Sequence, residues 1–355
     1  MIRFIGSKEK LIPFIECIIR SHVKDKMFCL GDIFSGTAAV SKYFKQRGNK
    51  VIASDTLKFC YVLAKSALGI NEEPRFERLI DKENISVKVN GLLSIPYDRV
   101  LIYLNELLGK EGFFYKEYSP GGTSSSEFQR CYFSDENAKR IDAIRSKIAN
   151  WYNEGLLTET ESCLLISDLI RATNRIANIA GTYGCFIKYW DPRALKRLTL
   201  QRSLIIPDSN RHEVFCKDAN ILVKERDFDV LYLDPPYTWR HYGAYYHILE
   251  TIAEGDEPFV TGRTGLRPWN KSKSRYCDRA DAFNALNELI CLAHCKHLFL
   301  SYSSEGLIGH EQIMEILAQR GNPIYYETNY RRYRSNGNGN IHNIVKERLY
   351  YVHII

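Results

Sequence analysis

The stretch Val230-Leu231-Tyr232-Leu233-Asp234-Pro235-Pro236-Tyr237 decides how this chain is read. Its four leading apolar residues predict a buried strand that stops at Asp234. Two prolines then fix the backbone just beyond the strand. A carboxylate, a carbonyl and an aromatic ring are thereby presented together at the C-terminal end of a strand. Open α/β sheets bind their ligands there. The trio suits one task, gripping an exocyclic amino group on a planar base. The Asp234 side chain and the Pro235 carbonyl can each accept one N–H, Pro236 stiffens the turn, and Tyr237 offers a face for stacking. The ordinary alternative is a strand followed by a proline turn, with Asp and Tyr incidental. The rest of the chain has to discriminate between the two.

Working outward, Phe28 to Phe34 reads as a second buried strand and Ser35-Gly36-Thr37 as a tight turn. Ala38 to Gln46 shows helical spacing, with Gly48 as its stop. Val51-Ile52-Ala53 is another strand, ending at Ser54-Asp55. A strand, turn, helix and strand closed by an acid is an arrangement that binds nucleosides, with the acid on the ribose hydroxyls. The glycine fingerprint for a pyrophosphate is absent, because Ala38 stands where a second glycine is expected. No P-loop lysine follows. A ligand with a ribose and no pyrophosphate fits best.

The α/β rhythm breaks from about residue 71 to 205. Ser119 to Ser126 is a Gly/Ser loop, Ser134 caps a helix that carries Ile141, Ile144 and Ile148, and Thr158 with Glu161 forms a capping box for a longer helix. This region reads as a mostly helical insertion. The rhythm resumes with Val214 to Cys216, Asp218 in a turn, and the strand before Asp234. A helix over Phe283 to Leu292, a strand over His297 to Ser301 and a helix over Ile308 to Arg320 follow. Two β-rich runs, Ile324 to Tyr333 and Arg348 to Ile354, flank a Gly/Asn hairpin turn at Ser335 to Asn340.

Bulk properties set limits. The chain has 355 residues, 45% of them hydrophobic and 26% charged, as in a globular protein. Ten cysteines without a CxxC pair argue against a zinc ribbon and a secreted disulfide scaffold and favour a reducing compartment. Cys291, His294, Cys295 and His297 crowd together, but no acidic partner is near and the cysteines read as packing. No metal is expected. No run is long enough to span a membrane, and Arg3, Lys8, Glu9 and Lys10 leave no signal-peptide core. The net charge of +7 fits a polyanionic partner. Arg263, Arg267, Lys271, Lys273 and Arg275 crowd one segment with Trp269 and Tyr276. Arg331, Arg332 and Arg334 crowd another with Tyr330 and Tyr333. Cations mixed with aromatics predict a nucleic-acid surface.

With these residues assembled, the chain resembles the alpha-class DNA adenine-N6 methyltransferases, the Dam-like and restriction-modification enzymes, over nearly its whole length. Phe4 to Leu11 is similar to the family's N-terminal motif, Asp32 to Thr37 to its motif I, Ser54-Asp55 to motif II, and Asp234 to Tyr237 to the catalytic motif IV. Tyr132 to Asn137, Asn178 to Tyr183 and Tyr245 to Thr251 resemble subfamily signatures. Asn178 to Tyr183 reads two ways, as a lining of the target-base entrance or as a helix terminus with a glycine stop.

The resemblance implies a Rossmann-like S-adenosylmethionine-dependent methyltransferase sheet ending in a β-hairpin. Residues 1–70 and 206–355 would form that catalytic domain, and 71–205 an inserted helical target-recognition domain. It implies S-adenosylmethionine held by Ile5, Gly6, Ser7, Lys8, Asp32, Phe34, Ser35, Gly36, Thr37, Asp55, Asp218, Ala219 and Asp234. Double-stranded DNA would be the substrate and a flipped-out adenine the target. The setting implied is a prokaryotic or phage-infected cytoplasm, beside a cognate restriction endonuclease. Cytosine N4 carries the same kind of amino group, but Ser-Pro-Pro-Tyr is more usual in that family, so Asp234 favours adenine. RNA or protein amino groups are further rivals. A catalytically idle DNA-binding regulator would not need the N-terminal motif, the ribose acid and an intact motif IV together.

Overall fold

The computed structural model describes residues 2–85, 88–89, 92–93, 95–270, 273–331 and 344–354. The turn expected at Ser335 to Asn340 lies outside them. In chain order the elements begin α1 (Ile12–His22), β1 (Cys29–Asp32), α2 (Ala39–Gln46), β2 (Lys50–Ser54) and α3 (Lys58–Leu68). Next come α4 (Glu77–Glu83), β3 (Lys88–Val89), β4 (Leu92–Leu93), α5 (Pro96–Glu106), α6 (Phe113–Tyr118), α7 (Asp135–Asn153) and α8 (Glu159–Ile176). Then follow β5 (Glu213–Phe215), α9 (Ala219–Leu222), β6 (Asp227–Leu233), α10 (Tyr242–Tyr245) and α11 (His247–Glu254). The chain closes with α12 (Ala282–Leu292), β7 (His294–Ser303), α13 (His310–Ala318), β8 (Ile324–Arg331) and β9 (Ile344–His353).

These elements form two compact units. One consists of Ile5–Ala64, Asp208–Tyr242 and Asn270–Ile355. It holds a seven-stranded sheet in the order β5-β2-β1-β6-β7-β9-β8. β5, β2, β1, β6 and β7 run parallel, and β9 lies antiparallel between β7 and β8. This is a Rossmann-like α/β sheet with an antiparallel end. The chain builds outward from β1 through β2 to β5, then returns to lay β6 on the other side of β1. The strand order therefore reverses between β1 and β6, and a ligand crevice opens at the carboxyl ends of strands at such a point.

β6 is central because its sequence lets it be. Val230, Leu231, Tyr232 and Leu233 are all buried, which only a strand covered on both faces accommodates. Leu231, Leu233, Leu298 and Leu300 share a core with Leu286 and Leu289 of α12 and Ile316 and Leu317 of α13. Each such side chain contributes about 1.5–3 kcal/mol by leaving water. β1 meets β6 closely enough to require a glycine. A Cβ on Gly31 would lie 2.5 Å from the Phe228 ring.

The other unit consists of Met1–Phe4, Lys65–Pro207 and Gly243–Trp269. It contains the expected helical stretch and also takes in α11, which packs on α8. Ser134 caps α7 by accepting from the Asn137 amide at 3.3 Å, and the Thr158–Glu161 capping box opens α8. Ile141, Ile144 and Ile148 on α7 and Leu165 and Leu169 on α8 are buried. The three signature runs are knitted together here. The Asn178 amide donates to Tyr132 O at 2.9 Å, the Tyr132 hydroxyl to Tyr183 O at 2.7 Å, and the Tyr183 amide to Tyr245 O at 2.9 Å. The Asn178 side chain donates to the carbonyls of Cys131 and Ile187, both at 3.0 Å, and accepts from the Asp191 amide at 3.1 Å. α8 already ends at Ile176, so this run is a buried junction beyond the helix and not its glycine stop.

Candidate functional site

Each of the strands on one side of the switch point, and β6 beside it, is followed by an acid. Asp32 is the last residue of β1, Asp55 follows β2, Asp218 lies three residues beyond β5, and Asp234 follows β6. The parallel registers put Asp32 level with Tyr232 and Ser54 level with Phe215, so the four acids line one edge of the sheet.

The Ser35-Gly36-Thr37 turn is tied down on both sides. The Ser35 amide donates to Ser54 O at 2.9 Å, and the Gly36 amide donates to Asp55 Oδ2 at 2.9 Å. Gly36 has φ 50°, and Ala38, which opens α2, has φ 57°. Thus the alanine that stands where a glycine is expected holds the left-handed conformation a glycine would adopt without strain. Phe34 packs edge-on against Tyr276 with centroids 5.1 Å apart. The Ser35 hydroxyl oxygen is buried without a hydrogen-bond partner among the described residues. Asp32 is buried and accepts from the amide and hydroxyl of Ser41 at 3.1 and 2.5 Å. Burial pushes its carboxyl up to about 6, against the pull of the two Ser41 hydrogen bonds. Burial also raises Asp55, opposed by bonds from the Leu57 and Gly36 amides. Asp218 caps α9, accepting from the Asn220 amide at 2.9 Å, with Ala219 buried beside it.

Around Asp234 the structure builds a cluster. Lys8 reaches it from the segment before α1, with its ammonium 3.1 Å from Asp234 Oδ1. The same ammonium donates to Glu347 Oε1 on β9, and the Ser301 hydroxyl donates to that oxygen at 2.9 Å. The Lys8 ammonium also lies 5.5 Å from the centroid of the Tyr237 ring. Tyr237 is set edge-on to Tyr302 at 5.8 Å, and its carbonyl accepts from the Leu307 amide at 2.9 Å. Pro235 is buried and Pro236 half-buried. Burial pushes the Asp234 carboxyl up to about 7; Lys8 opposes the rise and Glu347 adds to it. Burial alone would lower Lys8, but Asp234 and Glu347 hold it well above the usual lysine value.

Ile5, Gly6 and Ser7 run directly into Lys8. Gly6 has φ +80°, a Cβ there would lie 3.1 Å from the Tyr242 hydroxyl, and Ser7 O accepts from the Tyr330 hydroxyl at 3.3 Å. Glu347 and Ser301 carry no signal in the motif reading. Glu347 sits in the charged run Lys346-Glu347-Arg348, which looks solvated, and the expected strand began one residue after it. Placing β9 from Ile344 gives Glu347 an inward position in an alternating strand, which is the signal that could have found it.

The basic residues divide. Arg267 forks onto Asp256 at 3.0 and 2.8 Å and donates to Thr251 Oγ1 at 3.0 Å. Arg275 is shared between Asp281 and Glu288 at 2.8 and 2.7 Å. Both guanidiniums are engaged within the chain. Arg263, at the tip closed by the Thr261–Leu266 bridge, is exposed, and so is Lys273, which lies near His241. Lys271, Arg332 and Arg334 lie outside the described residues, as does the Arg331 side chain. Among the described residues no group of three His, Cys, Asp or Glu is placed to hold a metal, and no helix is long and apolar enough to cross a membrane.

A family model for D12 class N6 adenine-specific DNA methyltransferases matches residues 4–320. The type II methyltransferase M.NlaIII of Neisseria lactamica is 35% identical over 356 aligned positions, covering 99% of this chain and 98% of its own. The type II methyltransferase M.FokI of Planomicrobium okeanokoites is 40% identical over 94% of this chain and 50% of its own length. The modification methylase StsI of Streptococcus sanguinis is 36% identical over 99% of this chain and 51% of its own. The chain thus spans about half the length of the last two relatives.

Proposed function

The chain belongs to the D12 class of N6 adenine-specific DNA methyltransferases, and from that premise we propose that it methylates N6 of a flipped-out adenine at a specific site in double-stranded DNA, using S-adenosylmethionine. The observation that carries the reading is the Asp234 carboxylate, held by Lys8 at the carboxyl end of the central strand within the matched region. The relatives are named type II methyltransferases and modification methylases. That supports a role as the modification partner of a restriction endonuclease, in a prokaryotic or phage-infected cytoplasm.

The site fits the cofactor. The buried, unpartnered Ser35 hydroxyl and the left-handed Gly36 and Gly6 leave backbone and one polar atom for a ligand at the strand ends. Asp55 would bind the ribose hydroxyls, and Asp218 with Ala219 the cofactor adenine. Ile5, Gly6, Ser7, Lys8 and Asp32 would surround the amino-acid end, with Phe34 and Thr37 along the turn. When bound, S-adenosylmethionine supplies a methyl group already activated on a sulfonium.

The chain's task is then the amino group. Adenine N6 is a poor nucleophile because its lone pair is delocalised into the ring. Asp234 and the Pro235 carbonyl each accept one N6–H, which favours a nitrogen nearer tetrahedral with a more available lone pair. Positioning and fixed electrostatics supply the rest. Extracting the base from a duplex costs a few kcal/mol, and stacking on Tyr237 returns about 1–3 kcal/mol. Asp234 accepts best when ionised, so activity should rise through about pH 7. Arg263 and Lys273, with Lys271, Arg331, Arg332 and Arg334, are the proposed phosphate contacts.

The test is nucleoside mass spectrometry of duplex DNA treated with the protein and methyl-deuterated S-adenosylmethionine. The reading expects N6-methyladenine. N4-methylcytosine would reassign the acceptor, and no transfer by a folded protein that binds the cofactor would refute the reading.

A further inference from the structure

Glu347 is an unusual thing to bury. It is 3% exposed on β9, between the strands that carry Ser303 and Thr328, and a desolvated carboxylate costs several kcal/mol unless it is well paired. Its partners are Lys8 and Ser301, both on the same oxygen, Oε1. Neutralising Asp234 would take only Lys8. Two carboxylates share one ammonium, so with both ionised the cluster carries a net negative charge, and Lys8 is divided between Glu347 and Asp234.

We propose that Glu347 is a positioning residue for methyl transfer: it draws the Lys8 ammonium onto itself, so that Lys8 orients Asp234 without quenching it, and Asp234 meets the substrate amino group as a strong acceptor. The inference rests on the reading of Asp234 as that acceptor. Every element packed around Asp234 contributes to its field. Lys8 comes from the N-terminal segment, Asp32 from β1, Tyr232 from β6, Tyr237 from the loop beyond, Tyr330 from β8 and Glu347 from β9. Of the two carboxylates among these that raise Asp234, Glu347 ranks ahead of Asp32, and it is also the one bonded to Lys8. Ser301 fixes the Glu347 carboxylate from β7.

The test compares single-turnover methyl transfer against pH in the wild type, Glu347→Gln and Glu347→Asp. Glu347→Gln keeps the shape and removes the charge. It should lower the transfer rate about tenfold, because the Lys8 ammonium then rests wholly on Asp234 and weakens it as an acceptor. Its acid limb should move to lower pH, because a charge that raises Asp234 is gone. Glu347→Asp keeps the charge and should keep the wild-type limb. Superimposable profiles for Glu347→Gln and the wild type would overturn the inference. So would equal losses in both variants, with a lowered melting temperature and no movement of the limb, since that is the mark of packing alone. An infrared titration of the carboxylate band, each protein minus its Asp234→Asn counterpart, reads the same shift without DNA. A shift there in a wild type that transfers no methyl group would reject the adenine reading and keep the Glu347 device. No shift would reject the device whatever the activity.

Discussion

Asp234 shows how a single residue can serve function against stability. Its carboxyl is raised to about 7 from an ordinary value of 3.8, with burial the largest cause. Between those values the folded state binds more protons than the unfolded state, so this group makes stability fall as pH rises through that window. Asp234→Asn should therefore abolish methyl transfer. Relative to the wild type, its melting temperature should rise progressively between about pH 4 and pH 7. Calorimetry across that range checks it, and a variant that loses stability most at high pH would contradict it. Much of this site was legible in the sequence. Asp55 and Asp234 announce themselves as acids closing apolar runs, while Asp32, inside its run, and Asp218, in a turn, were picked out by the family resemblance. Lys8 was expected near the amino-acid end of the cofactor, and the fold adds a contact of its ammonium with Asp234. Glu347 was harder to find: alternation along β9 marks it as inward, but its pairing with Lys8 joins segments far apart in the chain.

At the scale of elements, the sequence marks the strands better than their ends. Apolar runs located β1, β2, β6 and β7, since burial on both faces of a parallel sheet demands them. The edges shifted where pairing outlasts hydrophobicity, as in β7, which begins at His294 because Asp227 of β6 pairs with it. The motif I turn shows a compensated departure. Ala38 keeps φ 57° although the left-handed region costs a non-glycine residue about 1–2 kcal/mol. Ala38→Gly removes that strain but frees the unfolded chain, which offsets about 0.5–1 kcal/mol. The net expectation is a gain of up to about 1.5 kcal/mol in a denaturant titration, with cofactor affinity retained. A loss of stability would show that the Ala38 methyl, fully buried, contributes more by packing than its backbone costs.

For the whole molecule, charge and its distribution matter more than any one contact. A net charge of +7 suits a polyanion, yet not every cation in the basic segment is available to one. Arg263 is exposed at its turn, while Arg267 is committed to Asp256 and Thr251. Arg263→Ala should weaken DNA binding across sequences and reduce the salt dependence of affinity by about one phosphate contact. Arg267→Ala should lower the melting temperature and leave the salt slope unchanged. Equal slopes for the two variants would contradict this division. Sequence composition cannot make that distinction, because intramolecular ion pairs form between residues that only the fold brings together. The central claim is tested most directly by modification-sensitive sequencing of a plasmid carried in a host without methyltransferases of its own, with the wild-type chain or Asp234→Ala expressed. The account predicts N6-methyladenine at one short sequence motif with the wild type and none with the variant. N4-methylcytosine, or adenine methylation that survives in Asp234→Ala, would contradict it.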